Sequence, residues 1–268
     1  TSLAKNIAVH IAKTPGRECQ TCGAAILVGK DEEIRCEICS GADYVEIEYH
    51  VAFFSPEMTE DELHDSIVFS EARAKMPYVD MNGRTHISQE SFGKLATKVN
   101  DLSRLPIKLF CRTYDMLTVR LKCLAYKRQI TRSPFCAKCR TPGEGSGACR
   151  HCGSYKWKKA CLAAFVVDYV QLMKPGGPDQ KKSFSREQEV AAVGRMVKNL
   201  AKELMAVGID LAQLNKDAKN QKRKPVMDDI RESSAPAHDA NKVVLIWNPD
   251  AQERVHEYAD AATPSEVG

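Results

Sequence analysis

No apolar run in this 268-residue chain approaches the length of a membrane span, and no signal peptide opens it, so neither a transmembrane helix nor a secretory route is expected. A strong excess of one charge is also missing. A net charge of +4 permits nucleic-acid binding without arguing for it. Hydrophobic content of 43% and charged content of 28% are those of an ordinary globular protein, long enough for one large domain or two small ones. An initiating methionine is absent too. The chain starts at Thr1, and is read as a processed product or a fragment.

Cysteine, by contrast, is abundant and patterned. Of 11 cysteines, Cys111, Cys123 and Cys161 stand alone, and the others form C-x2-C pairs. The pairs group as Cys19-x2-Cys22-x13-Cys36-x2-Cys39 and Cys136-x2-Cys139-x9-Cys149-x2-Cys152. Such spacing reads as metal binding in a reducing cytosol rather than as a disulfide framework. Four thiolates match the closed tetrahedron of structural Zn²⁺, which leaves no open position for catalysis. Two structural zinc ions are therefore expected, in small ribbons at 17–48 and 131–160. Neither segment is large enough to bury a useful core without its metal. His151 lies inside the second motif, where the four cysteines already suffice.

Outside the cysteine segments, helix and strand patterns alternate. Residues 1–13 predict a helix with Leu3, Ile7 and Ile11 on one stripe and Ala4, Ala8 and Ala12 beside it, ended by Pro15 and Gly16. VAFFS at 51–55 predicts a short buried strand. Thr59 with Glu62 forms a capping box that starts a helix. A second helix is expected over 89–103, where Phe92, Leu95, Val99 and Leu102 share a face. PIKLFC at 106–111 reads as a strand and 114–129 as a basic helix. Ser185 and Gln188 cap a helix whose core stripe is Val190, Val193, Val197, Leu200 and Leu204. Strands are expected at 207–214 and at KVVLIW, 242–247; KPGGPDQKKS reads as a loop, and the tail from 248 is polar. Alternation of this kind implies a mostly parallel sheet flanked by helices, with ligands at the carboxyl ends of its strands.

The segment FVVDYVQLM sharpens that expectation. It is a buried-strand pattern ending in an acid, Asp168, which is costly to bury without a partner. Alone, Asp168 also reads as a turn-forming Asp, Glu57 as a solvated acid ahead of a helix, and Gln213 as a surface residue in a turn. All three sit at or just past the end of a predicted strand.

VVDYVQLM, SREQEVAAVGRMVKNLAKEL, AQLNK and KRKPVMDDIRESSAPAHDANKVVLIW follow one another in an order that resembles the carboxyl-terminal domain of DnaB-type replicative DNA helicases. VAFFSPEMTEDEL resembles that family's strand ending in Ser-x-Glu-Met, and TSLAKNIAVHIA resembles the helix after its phosphate loop. The similarity covers about 1–13, 51–130 and 164–250, with the cysteine segments as insertions. It implies a RecA-like ATPase domain over 1–250, followed by a polar tail at 251–268. It further implies a motor of the bacterial cytoplasm or a phage-infected host, acting as a homo-oligomeric, hexameric ring on single-stranded DNA in replication, with primase and a helicase loader as partners.

ATP and Mg²⁺ are the cofactors so implied. The resemblance makes Asp168 the magnesium-side carboxylate, Glu57 the general base, and Gln213 the sensor of the γ-phosphate. Thr1 aligns with the hydroxyl residue of G-x-x-x-x-G-K-[ST]. The glycines and lysine of that loop fall outside the 268 residues, by truncation or at an intein junction, so these residues alone are expected not to hydrolyse ATP efficiently. No Lys-x-Arg-x-Gly pattern follows Trp247 to supply an arginine finger, which leaves Arg254 as the candidate. The family's DNA-facing loop corresponds to Asp229-Ile230-Arg231-Glu232-Ser233-Ser234, which makes Arg231, Glu232 and Ser234 DNA-binding candidates. Arg223 and Lys224 add positive charge beside them. Alone, that charge run reads as a solvated loop. Ser234 stands where the family has glycine, Lys216 where it more often has arginine, and Asp210 in a strand it keeps apolar. Two other readings are weighed: a RecA-like recombination or repair ATPase, and a non-catalytic zinc-dependent DNA-binding or assembly module.

Overall fold

The computed structural model describes residues 2–22, 38–40, 43–74, 78–79, 84–176, 185–215, 223–230 and 235–247. The elements run α1 (Ser2–Lys13), β1 (Pro15–Cys19), β2 (Tyr44–Ser55), α2 (Glu60–Ala72), β3 (Tyr78–Val79), β4 (Thr85–His86), α3 (Gln89–Leu102), β5 (Ile107–Cys111), α4 (Met116–Thr131), β6 (Phe135–Cys136), β7 (Trp157–Val167), α5 (Arg186–Leu204), β8 (Val207–Asp210) and α6 (Ala235–Asp239). Among these residues no helix is long and apolar enough to cross a membrane.

Two long parallel strands, β2 and β7, organise the sheet. Their carboxyl halves, Val51–Ser55 and Ala164–Val167, are fully buried. Alternate residues face opposite sides, as the two-residue period of a strand requires. Val51 and Phe53 pack with α1 and α2, against Ala8, Leu63 and Ile67. Ala52 and Phe54 pack with α4 and α5, against Met116, Val119, Val197 and Leu204. A run covered on both faces is apolar throughout, which is why VAFFS and FVV lack polar alternation. β5 and β8 extend this region in parallel, beside β2 and β7 respectively.

The amino halves of the same strands have different neighbours. β1 pairs antiparallel with Tyr44–Glu48, on the edge of β2 that β5 takes further along. β6 pairs antiparallel with Trp157 and Lys158, on the edge of β7 that β8 takes further along. The two cysteine segments thus share one stretch of sheet, in the order β1-β2-β7-β6. Positions 48 and 160, the limits read from spacing, lie within continuous strands.

Local signals place the helices well. Thr59 and Glu62 form the capping box of α2, and Ser185 and Gln188 that of α5. The five apolar stripe residues of α5 are all buried. Three expectations are corrected. α1 buries Ala4, Ala8 and Ala12 while Leu3 is 45% exposed, because small side chains let the helix lie close on the sheet. In α3 only Leu102 of the expected face is buried, and Phe92 and Val99 are exposed. Residues 242–247 form no strand. Val244 and Ile246 are largely exposed, since an apolar run becomes a strand only where an edge pairs with it, and β8 pairs with β7 alone among the described residues.

Candidate functional site

The carboxyl ends of β2, β5, β7 and β8 lie along one edge of the sheet. Asp168 follows β7 directly and is 2% exposed. Its backbone N–H donates to the Phe54 carbonyl at 2.9 Å, which ties the end of β7 to the end of β2. Phe54 pairs with Val167, so Ser55 neighbours Asp168. Ser55 is fully buried, and its hydroxyl has no hydrogen-bond partner among the described residues. Two buried oxygen-bearing side chains at adjacent strand ends form a donor set suited to a hard cation and its waters.

Glu57 lies two residues beyond β2 and is exposed, just ahead of the Thr59 cap. Gln213 lies three residues beyond β8, also exposed. Its backbone N–H donates to Gln171 Oε1, and Gln171 Nε2 donates to its carbonyl, each at 3.2 Å. The amide of Gln171 thereby fixes the segment carrying Gln213 to the turn after Asp168. Arg186, at the start of α5, donates to the carbonyls of Gln171 and Met173. The peptide bond between Asp168 and Tyr169 is cis.

Lys5, one turn into α1, is buried and bonds to Ser66. Burial brings its ammonium pKa down, while the Asp168 carboxylate pulls it up. That interaction sets the amino-terminal end of α1 towards the edge bearing Asp168. A helix amino terminus favours anions there. Thr1 lies outside the described residues. Lys5, Ser55 and Gln171 were missed from sequence. Gln171 stands within DYVQLM, and Ser55 within the Ser-x-Glu-Met segment, so motif position was the available signal.

Of the predicted DNA-facing residues, Arg231, Glu232 and Ser234 lie outside the described residues. Arg223 donates from both terminal nitrogens to Asp229, at 2.7 and 2.8 Å. The Arg223 guanidinium and the Val226 backbone N–H hold the Asp229 carboxyl below its ordinary range. Arg223 therefore braces the turn Met227–Asp229 that leads to Arg231. Lys224 Nζ sits 5.6 Å above the Trp247 ring. Burial pushes the Asp210 carboxyl up at the end of β8.

At the opposite end of the long strands, Cys136, Cys139, Cys149 and Cys152 bring their sulfurs within 4.8 Å of one another. Cys136–Cys152 and Cys139–Cys149 are each 3.5 Å apart. A tetrahedral ion with bonds of about 2.3 Å sets sulfurs about 3.8 Å apart, so the quartet fits Zn²⁺. The Thr141 hydroxyl and backbone N–H bring the Cys139 thiol down to about 6. Cys19, Cys22 and Cys39 form a similar group, and Cys36 lies outside the described residues. The backbone N–H of Cys22 leads the hydrogen bonds that bring Cys19 down to about 6. Amide and hydroxyl donors aimed at sulfur favour the thiolate that a metal needs. Within the same quartet the Ser154 backbone N–H works to lower Cys152, but burial and the three neighbouring sulfurs push it up to about 12; burial alone pushes Cys123 up to about 12 among apolar neighbours.

The chain is similar to several known proteins. The replicative DNA helicase DnaB of Mycobacterium intracellulare is 31% identical over 204 residues, covering 75% of this chain and 29% of that protein. The replicative DNA helicase DnaB of Geobacillus stearothermophilus is 30% identical over 203 residues, covering 75% and 37%. The chain therefore spans well under half the length of these relatives. Among solved structures, a DnaB-like replicative helicase studied with primase superposes with a TM-score of 0.55 at 22% identity, covering 81% of this chain and 43% of that one. A second solved structure, of an ATPase domain, gives 0.55 at 21% identity, covering 81% and 63%. These two establish the RecA-like α/β fold. Residues 149–267 match the DnaB-like helicase C terminal domain, and across three quarters of its length the chain is similar to replicative DNA helicases.

Proposed function

We propose that this chain is the ATP-hydrolysing motor portion of a replicative DNA helicase, working as a hexameric ring that translocates along single-stranded DNA in the cytoplasm. The observation carrying this reading is the convergence of Asp168, Ser55, Glu57, Gln213 and the amino-terminal end of α1 on one edge of the sheet. In the proposed mechanism Mg²⁺, when bound with ATP, supplies positive charge against the triphosphate. Asp168 and Ser55 would hold the ion, and Thr1 would contribute a hydroxyl to it. Glu57 takes the proton of the attacking water, and its exposure keeps it within reach of solvent. Gln213, fixed through Gln171 to the Asp168 turn, reports the presence of the γ-phosphate to the segment leading towards Asp229 and Arg231. Arg231, Glu232 and Ser234 are assigned to contact with the DNA backbone, and Lys224 and Arg223 add positive charge to the same segment. Both cysteine groups hold structural Zn²⁺, supported by the sulfur spacing. Primase and a loader are the expected partners of the intact ring.

The test is magnesium-dependent ATP hydrolysis, with and without single-stranded DNA, by the intact natural protein that carries these residues. Glu57→Gln should lower kcat by about 10²–10⁴ with little change in nucleotide affinity, as removal of a general base does. Asp168→Asn should weaken dependence on Mg²⁺. Wild-type turnover in the Glu57→Gln protein would reject Glu57 as the base.

A further inference from the structure

We propose that the second cysteine ribbon is a single-stranded nucleic-acid site, centred on Tyr155 with Lys138, Arg150 and Lys156 around it. This rests on the metal reading of Cys136, Cys139, Cys149 and Cys152, and is independent of the ATP site. The two cysteine segments differ sharply in charge. Residues 17–48 carry eight acidic residues against three lysines and arginines, whereas residues 131–160 carry seven lysines and arginines against Glu144 alone. The basic segment stays positive even with the roughly two net negative charges of a Zn²⁺ held by four thiolates.

Part of that positive charge is already committed to the sheet. Arg140 is paired with Glu48, Lys158 with Glu46 and Lys159 with Glu18. Lys138 and Lys156 are exposed and have no ion pair among the described residues. Arg150 is almost fully exposed, 3.7 Å from the equally exposed Glu144, a contact that water and salt weaken readily. Backbone pairing groups these side chains. The Ala137 N–H donates to the Lys156 carbonyl at 2.9 Å, and the Cys149 N–H to the Ser154 carbonyl at 2.8 Å. Both knuckles therefore sit against the segment that carries Tyr155.

The two aromatic residues of this segment have different fates. Trp157 is held inward, its Nε1–H donating to the Gly147 carbonyl at 2.9 Å. Tyr155, two residues away, is 76% exposed and has no ring partner among the described residues. A large apolar ring kept in water beside uncommitted cations has the features of a stacking platform with phosphate contacts. Stacking on Tyr155 needs an unpaired base, which favours a single strand over a duplex. The first ribbon, being acidic, would repel the same ligand.

The test is fluorescence anisotropy of a labelled oligothymidylate titrated with the full chain, without nucleotide, together with zinc content for every variant. Tyr155→Ala should keep its zinc and bind about tenfold more weakly, the loss expected for one stacked base. The double substitution Lys138→Glu with Lys156→Glu should keep its zinc and make the log–log salt slope shallower by roughly 1.4, two single-strand phosphate contacts. Zinc-loaded variants binding as wild type does would overturn the proposal. So would unchanged oligonucleotide affinity accompanied by a lower oligomeric mass in the double variant, which would assign the face to a second copy of the chain. Absence of zinc from the wild-type chain would reject the metal reading separately, whatever the anisotropy.

Discussion

Arg140, the residue after Cys139, donates two hydrogen bonds to Glu48 of β2, at 2.9 and 2.7 Å. The pair leads inward. His50 Nε2 lies 2.9 Å from Glu48 Oε1, and its Nδ1 lies 2.7 Å from the Tyr126 hydroxyl. A carboxylate only accepts, so Nε2 carries a proton and donates to Glu48. Tyr126 meets Phe110 edge-on, and Phe110 stacks on Phe54 at 4.8 Å. One continuous path thus joins a cysteine knuckle to the strand that ends at Ser55.

Glu48 makes that path sensitive to acid. Burial works to raise its carboxyl pKa, but the hydrogen bonds from Arg140 and His50 outweigh it and bring it from 4.5 to about 2. A folded value below the unfolded one contributes stability above pH 4.5, and that stability is lost as pH falls towards 2. Glu48→Gln should therefore cost about 2 kcal/mol at pH 7, the scale of hydrogen bonds to a charged group. Its difference from wild type should shrink below about pH 4. Urea unfolding at pH 7 and pH 3 measures both, and an equal difference at the two pH values would refute the assignment.

Metal content tests the cysteine groups one at a time. The wild-type chain should hold two zinc ions, and Cys149→Ser only one, by elemental analysis of the purified protein. Cys123→Ser should change neither count, because Cys123 lies in the α4 core, away from both groups. Apparent zinc binding of about 10–16 kcal/mol in small peptides exceeds what so short a segment gains from its own core. Chelation should therefore unfold the β6 hairpin before it affects the carboxyl half of β7.

These features were unevenly legible in the sequence. α5 could be read because Ser185, Gln188 and the Val190–Leu204 stripe give cap and period together. The positions of Asp168, Glu57 and Gln213 at strand ends could be read because parallel sheets end their strands on one edge. The amino halves of β2 and β7 were hidden by charge. YVEIEYH and WKK break the apolar run with charge and fall at the limits read for the cysteine segments, yet Glu46, Glu48, Lys158 and Lys159 lie on paired strands and are neutralised by ion pairs. α1 was misjudged for another reason: hydropathy ranks Leu3 above Ala4, whereas close approach to a sheet selects the smaller residue. The sharing of one sheet by both cysteine segments left no local trace, because register between distant strands has none.

Met205 offers a gain in stability. It caps α5 with φ +51° and is 90% exposed, so its side chain contributes little packing to offset the left-handed backbone. Glycine adopts this conformation freely, as helix carboxyl caps usually require. Met205→Gly should stabilise the protein by about 1 kcal/mol, raising Tm by a few degrees in calorimetry. A decrease in Tm would mean that the side chain packs on a partner.

Ser55 separates folding from function at the strand edge. A buried hydroxyl without a partner carries a desolvation cost of about 1–3 kcal/mol, and alanine removes that cost with little change of shape. Ser55→Ala should therefore raise Tm in the absence of nucleotide. If the hydroxyl serves a hydrated cation beside Asp168, the same change should reduce the further rise in Tm that Mg²⁺ and ATP give the intact protein, since ligand stabilisation follows affinity. The two shifts have opposite signs and are measured in one pair of melts. A fall in Tm without nucleotide would show that the hydroxyl is already satisfied within the fold, and an unchanged nucleotide response would remove Ser55 from the site while leaving Asp168 in place.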